Sequence, residues 1–277
     1  MTNDFILNVQ NNNVLRISAF GIENIESAPC LIFVHGFKGF KDWGFVPYIG
    51  DYYSNRGYFV ITFNFSHNGV GESLIEFNEL DKFAENTFSL EISELNELIS
   101  AYNFGFFGNT SGKGIGLLGH SRGGAISLLV GSENTEVKAV SVWSSVSNFD
   151  RYSERQRSDW RERGFIEVLN TRTKQRMRLN VSLLDDIEHN KDGSLNIKNA
   201  VKNLNKPLLI VHGENDLAVP VDEAKNLYKW SEKKNTQLCL ISKAGHTFDM
   251  KHPFEGSNNK FDKVLDKTLK FFQTNLN

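Results

Sequence analysis

Six short apolar runs spaced along the chain restrict its fold more than any other feature. They are CLIFV (Cys30 to Val34), YFVITF (Tyr58 to Phe63), IGLL (Ile115 to Leu118), AVSVW (Ala139 to Trp143), LLIV (Leu208 to Val211) and LCLI (Leu238 to Ile241). None alternates apolar with polar as a half-buried strand would, and none approaches the ~20 residues of a membrane-spanning helix. Such runs suit strands buried on both faces, which predicts a mainly parallel sheet covered by helices. Helical periodicity appears between or after them. Phe88, Ile92, Leu95, Leu98, Ile99 and Tyr102 recur at three- and four-residue steps, as do Phe261, Val264, Leu265, Leu269 and Phe272. Ahead of all these, Phe5 to Val9 and Val14 to Phe20 flank an Asn11-Asn12-Asn13 turn cluster and read as an antiparallel hairpin. The expected fold is a doubly wound α/β sandwich with ligands at the carboxyl ends of its strands.

A chain of 277 residues should expose roughly 12,000 Å² when folded, enough burial for one large core. No Pro/Gly/Ser-rich linker divides it, so residues 1–277 are expected to form a single domain. One connection is out of proportion: residues 149–205, Phe149 to Asn205, separate two strands where a single crossover helix needs far fewer. The stretch is polar, with nine Lys/Arg from Arg151 to Arg178 against five acids counted from Asp150, interleaved with Trp160, Phe165, Leu169 and Met177. We expect a helical insertion, because long bare loops are uncommon in compact domains. It reads either as a solvated helical face with pairs such as Glu154 with Arg157 and Asp159 with Arg163, or as a lid. As a lid, it would offer Trp160 or Phe165 as an apolar wall and one arginine to a substrate carboxylate. Binding to a membrane surface is disfavoured, because the acids dilute the basic face.

With 31 Lys+Arg against 33 Asp+Glu, the net charge of −2 provides no global field for nucleic acid. The amino terminus has neither a basic start nor a long apolar region, so no secretory signal is read and a cytoplasmic location is expected. Cys30 and Cys239, the two cysteines, lie in apolar strand-like runs and read as buried reduced thiols. No metal or other cofactor is expected.

Gly114-Ile115-Gly116-Leu117-Leu118-Gly119 matches the dinucleotide pattern G-x-G-x-x-G, but that pattern must follow a strand, and here it lies inside one. Ser111-Gly112-Lys113-Gly114 lacks the remainder of a phosphate loop and reads as the turn entering the strand. At the strand's end stands Gly119-His120-Ser121-Arg122-Gly123, a complete G-x-S-x-G, followed by the helix-like GAISLLVG. A serine at a strained strand-to-helix turn needs glycines two residues before and after it, because side chains there would collide. The turn presents its hydroxyl at the carboxyl edge of the sheet, beside a helix amino terminus that favours developing negative charge.

Together with HGFKG after the first buried run, GENDLAVP and KAGH, this pentapeptide makes the chain resemble the α/β-hydrolase superfamily along nearly its whole length. Within it the chain is most similar to small serine esterases of the dienelactone-hydrolase and prolyl-oligopeptidase-like group, including cinnamoyl and feruloyl esterases. It departs from dienelactone hydrolases in having Ser121 where they use cysteine, and it has no room for the propeller of the oligopeptidases. The resemblance implies an ester hydrolase whose nucleophile, acid and base follow in that order.

Ser121 would be the nucleophile and His246, on the loop after the last run, the base. His189 falls in the insertion, His212 precedes any plausible acid, and His252 reads as a surface or helix-start residue. Asp216 matches the family's acid; Glu214, Asp222 and Asp150 are the competitors. The oxyanion donors map to the backbone N–H groups of Phe37 and Arg122. His35, His120 and His212 read as structural. The implied substrate is a small-molecule ester. A short-peptide or amide hydrolase and a hydrolase-fold binding protein without catalysis are the alternatives.

Overall fold

The computed structural model describes residues 2–73 and 75–276, so Met1, Leu74 and Asn277 of the expected 1–277 unit lie outside the described residues. In chain order the elements are β1 (Thr2–Val9), β2 (Asn13–Phe20), β3 (Cys30–Val34), α1 (Val46–Ser54), β4 (Phe59–Asn64), α2 (Leu80–Ala84), α3 (Phe88–Asn103), β5 (Ile115–His120), α4 (Arg122–Glu133) and β6 (Val137–Trp143). They continue with α5 (Glu154–Arg163), β7 (Phe165–Leu169), β8 (Arg176–Asn180), α6 (Val181–Asn190), α7 (Ile197–Asn203), β9 (Leu208–Gly213), α8 (Val221–Trp230), β10 (Thr236–Ile241) and α9 (Asn259–Asn275).

Among the described residues, eight strands form one sheet in the order β1-β2-β4-β3-β5-β6-β9-β10. β1 and β2 pair antiparallel, β2 runs antiparallel to β4, and every pair from β4 to β10 is parallel. This is the α/β-hydrolase fold with its amino-terminal hairpin. The continuous apolar runs supply both faces. Cys30, Ile32 and Val34 of β3 enter the core layer shared with α3 and α4, while Leu31 and Phe33 enter the opposite layer with α1 and α9. β3 lies between β4 and β5, so the chain leaves one side of it and later returns on the other. That reversal of direction opens a crevice at the carboxyl ends of β3 and β5.

Local expectations hold where local chemistry decides. α3 buries Phe88, Leu95, Leu98, Ile99 and Tyr102, and its cap Thr87 accepts a hydrogen bond from the Leu90 amide. α9 buries Phe261, Val264, Leu265 and Phe272 and is capped by the Asn258 side chain. The hairpin turns through Asn11 and Asn12, both at φ 58°, a conformation asparagine tolerates better than most residues.

Two expectations need correction. LCLI is not buried on both faces: β10 is the outermost strand, Leu240 is 37 % exposed, and Cys239 is half-buried, unlike the fully buried Cys30. A strand at the sheet edge lacks the second neighbour and full helix cover that the pattern presumes. The insertion, expected to be helical, is only partly so. Between α5 and α6 it folds back as an antiparallel hairpin of β7 and β8 that, among the described residues, pairs with no other strand. Trp160, Met177, Leu179, Leu183, Leu184 and Ile187 form its apolar interior. Its arginines do not make the expected pairs within α5. Arg157 binds Asp150 and Glu188, and Arg161 binds Asp185 and Glu188, tying α5 to α6. Asp186 of α6 in turn accepts hydrogen bonds from the Phe88 and Ser89 amides at the start of α3, at 2.9 and 3.1 Å.

Candidate active site

Ser121 stands between β5 and α4 with φ 57° and ψ −122°, a backbone state costly for any residue with a side chain. The turn survives because its neighbours are glycines: a Cβ on Gly119 would strike the Gly123 carbonyl, and one on Gly123 would strike the carbonyls of Val34 and His35. The Ser121 amide donates to the Trp143 carbonyl at 2.8 Å, pinning the turn to the end of β6.

Asp216 lies on the loop after β9 and is buried. One carboxylate oxygen accepts from the amides of Ala218 and Val219 at 2.9 and 2.8 Å, and the other from His246 Nδ1 at 2.8 Å. Burial pushes its carboxyl up, but the His246 hydrogen bond and charge and the two amides outweigh it, leaving it below the usual range. The competitors are engaged elsewhere or exposed. Glu214 is exposed, Asp222 pairs with Lys225 at the start of α8, and Asp150 pairs with Arg157. His246 sits on the loop after β10, and its carbonyl accepts from His120 Nε2 at 3.0 Å, so a buried side chain beside Ser121 holds this loop.

His35, His120 and His212 follow the structural reading, and His252 departs from its own. The Phe65 amide donates to His35 Nε2, so Nδ1 carries the proton given to the Gly36 carbonyl; burial holds His35 down to about 4. Burial, then the neighbouring His246, lowers His120 to about 3. His212 Nε2 donates to the Val219 carbonyl at 2.8 Å, and His189 is exposed on α6. His252 is no surface residue: it stacks on Trp43, accepts from the Gly44 amide at 2.8 Å and lines the cavity described below.

Phe37 follows β3 and Arg122 opens α4. Among the described residues neither backbone N–H has a hydrogen-bond acceptor. The Arg122 side chain is buried, ion-paired to the fully buried Glu91 of α3 at 2.6 Å, and stacked on the rings of Phe37 and Phe88 at 5.0 and 5.6 Å. One guanidinium therefore braces both loops that carry these amides. Glu91 was not legible as part of the site, since its place within an amphipathic helix marks it only as a polar residue.

Two cavities meet here, of about 580 and 440 Å³, and Ser121, His246, Phe37 and Lys38 line both. The larger is walled by Phe40, Trp43 and Phe45 and bordered by Asn170, Thr171 and Arg172 of the β7–β8 turn. The smaller is lined by Phe88, Phe149, Tyr152, Leu179 and Leu183. The insertion thus borders both, but not through the residues expected. Trp160 lines neither cavity; it is fully buried against Tyr152. Phe165 lies on β7 between Arg163 and Arg178 and also lines neither. A ring set among charges need not face a ligand: Trp160 turns inward as an anchor, and the half-buried Phe165 is held between two arginines. The hairpin whose turn does border the Ser121 cavity had a signal in the sequence: RMRLN alternates polar with apolar, and the β-branched, apolar FIEVL precedes it across a polar turn.

Among the described residues no group of three His, Cys, Asp or Glu side chains could hold a metal ion, and no helix is long and apolar enough to cross a membrane. No curated protein matches the sequence. Solved structures do resemble the fold. Est1E from Butyrivibrio proteoclasticus with ferulic acid bound has a TM-score of 0.74 at 17 % identity, covering 98 % of each chain. The esterase domain of a Rhodothermus marinus protein has a TM-score of 0.65 at 17 % identity over 100 % of both chains. An esterase from Pyrococcus furiosus has 0.64 at 16 %, covering 100 % of this chain and 92 % of the other. The prolyl oligopeptidase family profile matches residues 52–277. With the Ser121 turn, the Asp216 and His246 loops and the whole insertion inside that span, the chain belongs to the prolyl oligopeptidase family of α/β-hydrolase-fold serine hydrolases.

Proposed function

We propose that this serine hydrolase cleaves small carboxylic esters through an acyl-enzyme on Ser121. The observation that carries the reading is that Ser121 and His246 line the same two cavities while His246 Nδ1 is held by the buried Asp216 at 2.8 Å. That bond leaves Nε2 as the unprotonated nitrogen that takes the Ser121 proton as Oγ attacks the ester carbonyl. The Phe37 and Arg122 backbone N–H groups donate hydrogen bonds to the resulting oxyanion. His246 then returns the proton to the leaving alcohol, and a water deprotonated by the same ring cleaves the acyl-enzyme. Residues 149–205 act as a cap on a single unit spanning 1–277. The ferulic acid held by Est1E makes hydroxycinnamate esters the first substrates to try.

The family match favours a second reading with the same residues, hydrolysis of short peptides or amides. A fluorophosphonate probe and a panel of p-nitrophenyl esters, hydroxycinnamate esters and aminoacyl amides test both. We expect labelling of the wild type and none of Ser121→Ala, with esters turned over faster than amides. Faster amide turnover would favour the second reading, and no labelling would remove catalysis by Ser121.

A further inference from the structure

The two cavities at Ser121 differ in charge. In the smaller, Arg122 is neutralised by Glu91 at 2.6 Å and Arg151 approaches Glu223 at 3.6 Å. Neither lining includes an aspartate or glutamate and Lys38 lines both; the larger adds Arg172 and Lys251. These three cations are not equivalent. Lys251 pairs with Glu255 at 3.0 Å, and Lys38 Nζ donates to the Leu169 carbonyl at 3.2 Å. Among the described residues Arg172 has no carboxylate partner, like Arg155 and Arg163 on α5, whereas Arg151, Arg157, Arg161, Arg176 and Arg178 of the same insertion each have at least one; of the three unpaired arginines only Arg172 lines the cavity.

Arg172 is nonetheless held. Its amide donates to the side chain of the buried Asn170 at 3.2 Å, and its guanidinium stands over the Phe40 and Phe77 rings at 5.7 and 5.9 Å. A guanidinium fixed on aromatic faces keeps its planar fork of N–H donors for a carboxylate. His252 adds to this. The Gly44 amide donates to its Nδ1, so that nitrogen carries no proton and the ring is a neutral donor through Nε2; burial, then Arg172, lowers its pKa in the same sense. The cavity therefore combines aromatic walls, a neutral donor and two cations that no carboxylate neutralises, Lys38 and Arg172, of which Lys38 is turned to the Leu169 carbonyl and Arg172 rests on aromatic faces.

Resting on the ester-hydrolase reading, we propose that the larger cavity is a subsite for a substrate portion bearing an aromatic ring and a carboxylate, with Arg172 as the residue that binds the carboxylate. Specificity would then come from the insertion while bond cleavage stays with the Ser121 turn. The carboxylate can belong to the alcohol or to the acyl portion of the ester, and two matched substrate pairs separate these sources. The first pair is 4-carboxyphenyl butyrate and its neutral amide analogue, 4-carbamoylphenyl butyrate. The second is the p-nitrophenyl monoester of terephthalic acid and its 4-carbamoylbenzoate analogue.

In one pair the carboxylate should exceed its amide partner by about tenfold in kcat/KM, the scale of one charge-assisted hydrogen bond. The preference should sit mainly in KM and shrink as ionic strength rises. Arg172→Gln should erase it while leaving both amide substrates within about twofold. Equal or slower turnover of both carboxylates would overturn the proposal, as would an Arg172→Gln variant that slows charged and neutral members alike. A binding measurement separates this failure from failure of the ester reading. In Ser121→Ala, benzoate should bind more tightly than benzamide, and Arg172→Gln should remove the difference. That result supports the subsite even if no ester is cleaved, and its absence overturns the subsite even if esters are cleaved.

Discussion

At Ser121 the contacts that hold the chain are main-chain and steric: a positive φ, glycines pressed against carbonyls, and an amide pinned to the end of β6. In the insertion the corresponding work falls to side chains. Trp160 fills an interior between α5 and the β7–β8 hairpin, and Arg157 and Arg161 reach across to acids on α6. The difference bears on how such a protein changes. A backbone trap tolerates almost no substitution, whereas an assembly of side chains can be rebuilt around it. Chemistry and specificity can therefore be altered separately, provided the two regions are mechanically distinct.

The largest effect that could break this comparison lies at the turn. Ser121→Ala and His246→Ala should each lower kcat by about 10⁴-fold or more, without adding in the double variant, because the groups act as a unit. Thermal unfolding of Ser121→Ala should match the wild type. Substantial activity left in His246→Ala would mean that another group takes the Ser121 proton.

A smaller effect belongs to the insertion. Trp160→Ala removes a fully buried indole and should cost about 3 kcal/mol or more, the range for large core truncations. If the insertion is a separate cooperative unit, hydrogen exchange should quicken across residues 149–205 while β5 and α4 keep their protection. Uniform loss of protection in β5 and α4 would show that the two regions unfold together and that the distinction is only architectural.

The smallest effect sharpens the contrast through pH. Glu94 of α3 is buried and accepts from the Ser66 amide and hydroxyl; burial dominates and pushes its carboxyl up to about 7. The folded chain then binds this proton more tightly than the unfolded chain. Stability from this site is greatest at low pH and declines as pH rises from the ordinary glutamate range through about 7, by about 3 kcal/mol at most. Glu94→Gln should flatten the slope of urea unfolding free energy between about pH 5 and about pH 8. An unchanged slope would place the titration elsewhere. The arginine pairs of the insertion are more exposed and should respond to salt instead.

The sequence by itself determined the parts that depend on neighbours along the chain. Continuous apolar runs specified a sheet buried on both faces, spacing specified α3 and α9, and two glycines around Ser121 marked a turn that only they permit. Even the order of Ser121, Asp216 and His246 was legible, because each follows a recognisable strand. Tertiary structure alone decided which of several aromatic and basic residues in 149–205 meet the cavity. Trp160 turned inward to satisfy local packing, while Arg172 came to rest on Phe40 and beside His252, residues distant in sequence. It likewise made β10 an edge strand and left Cys239 half-buried, although its run of residues reads like the others. The reason is physical: periodicity records that a residue is buried, but the partner it is buried against is set by how distant segments pack, and no local pattern carries that information.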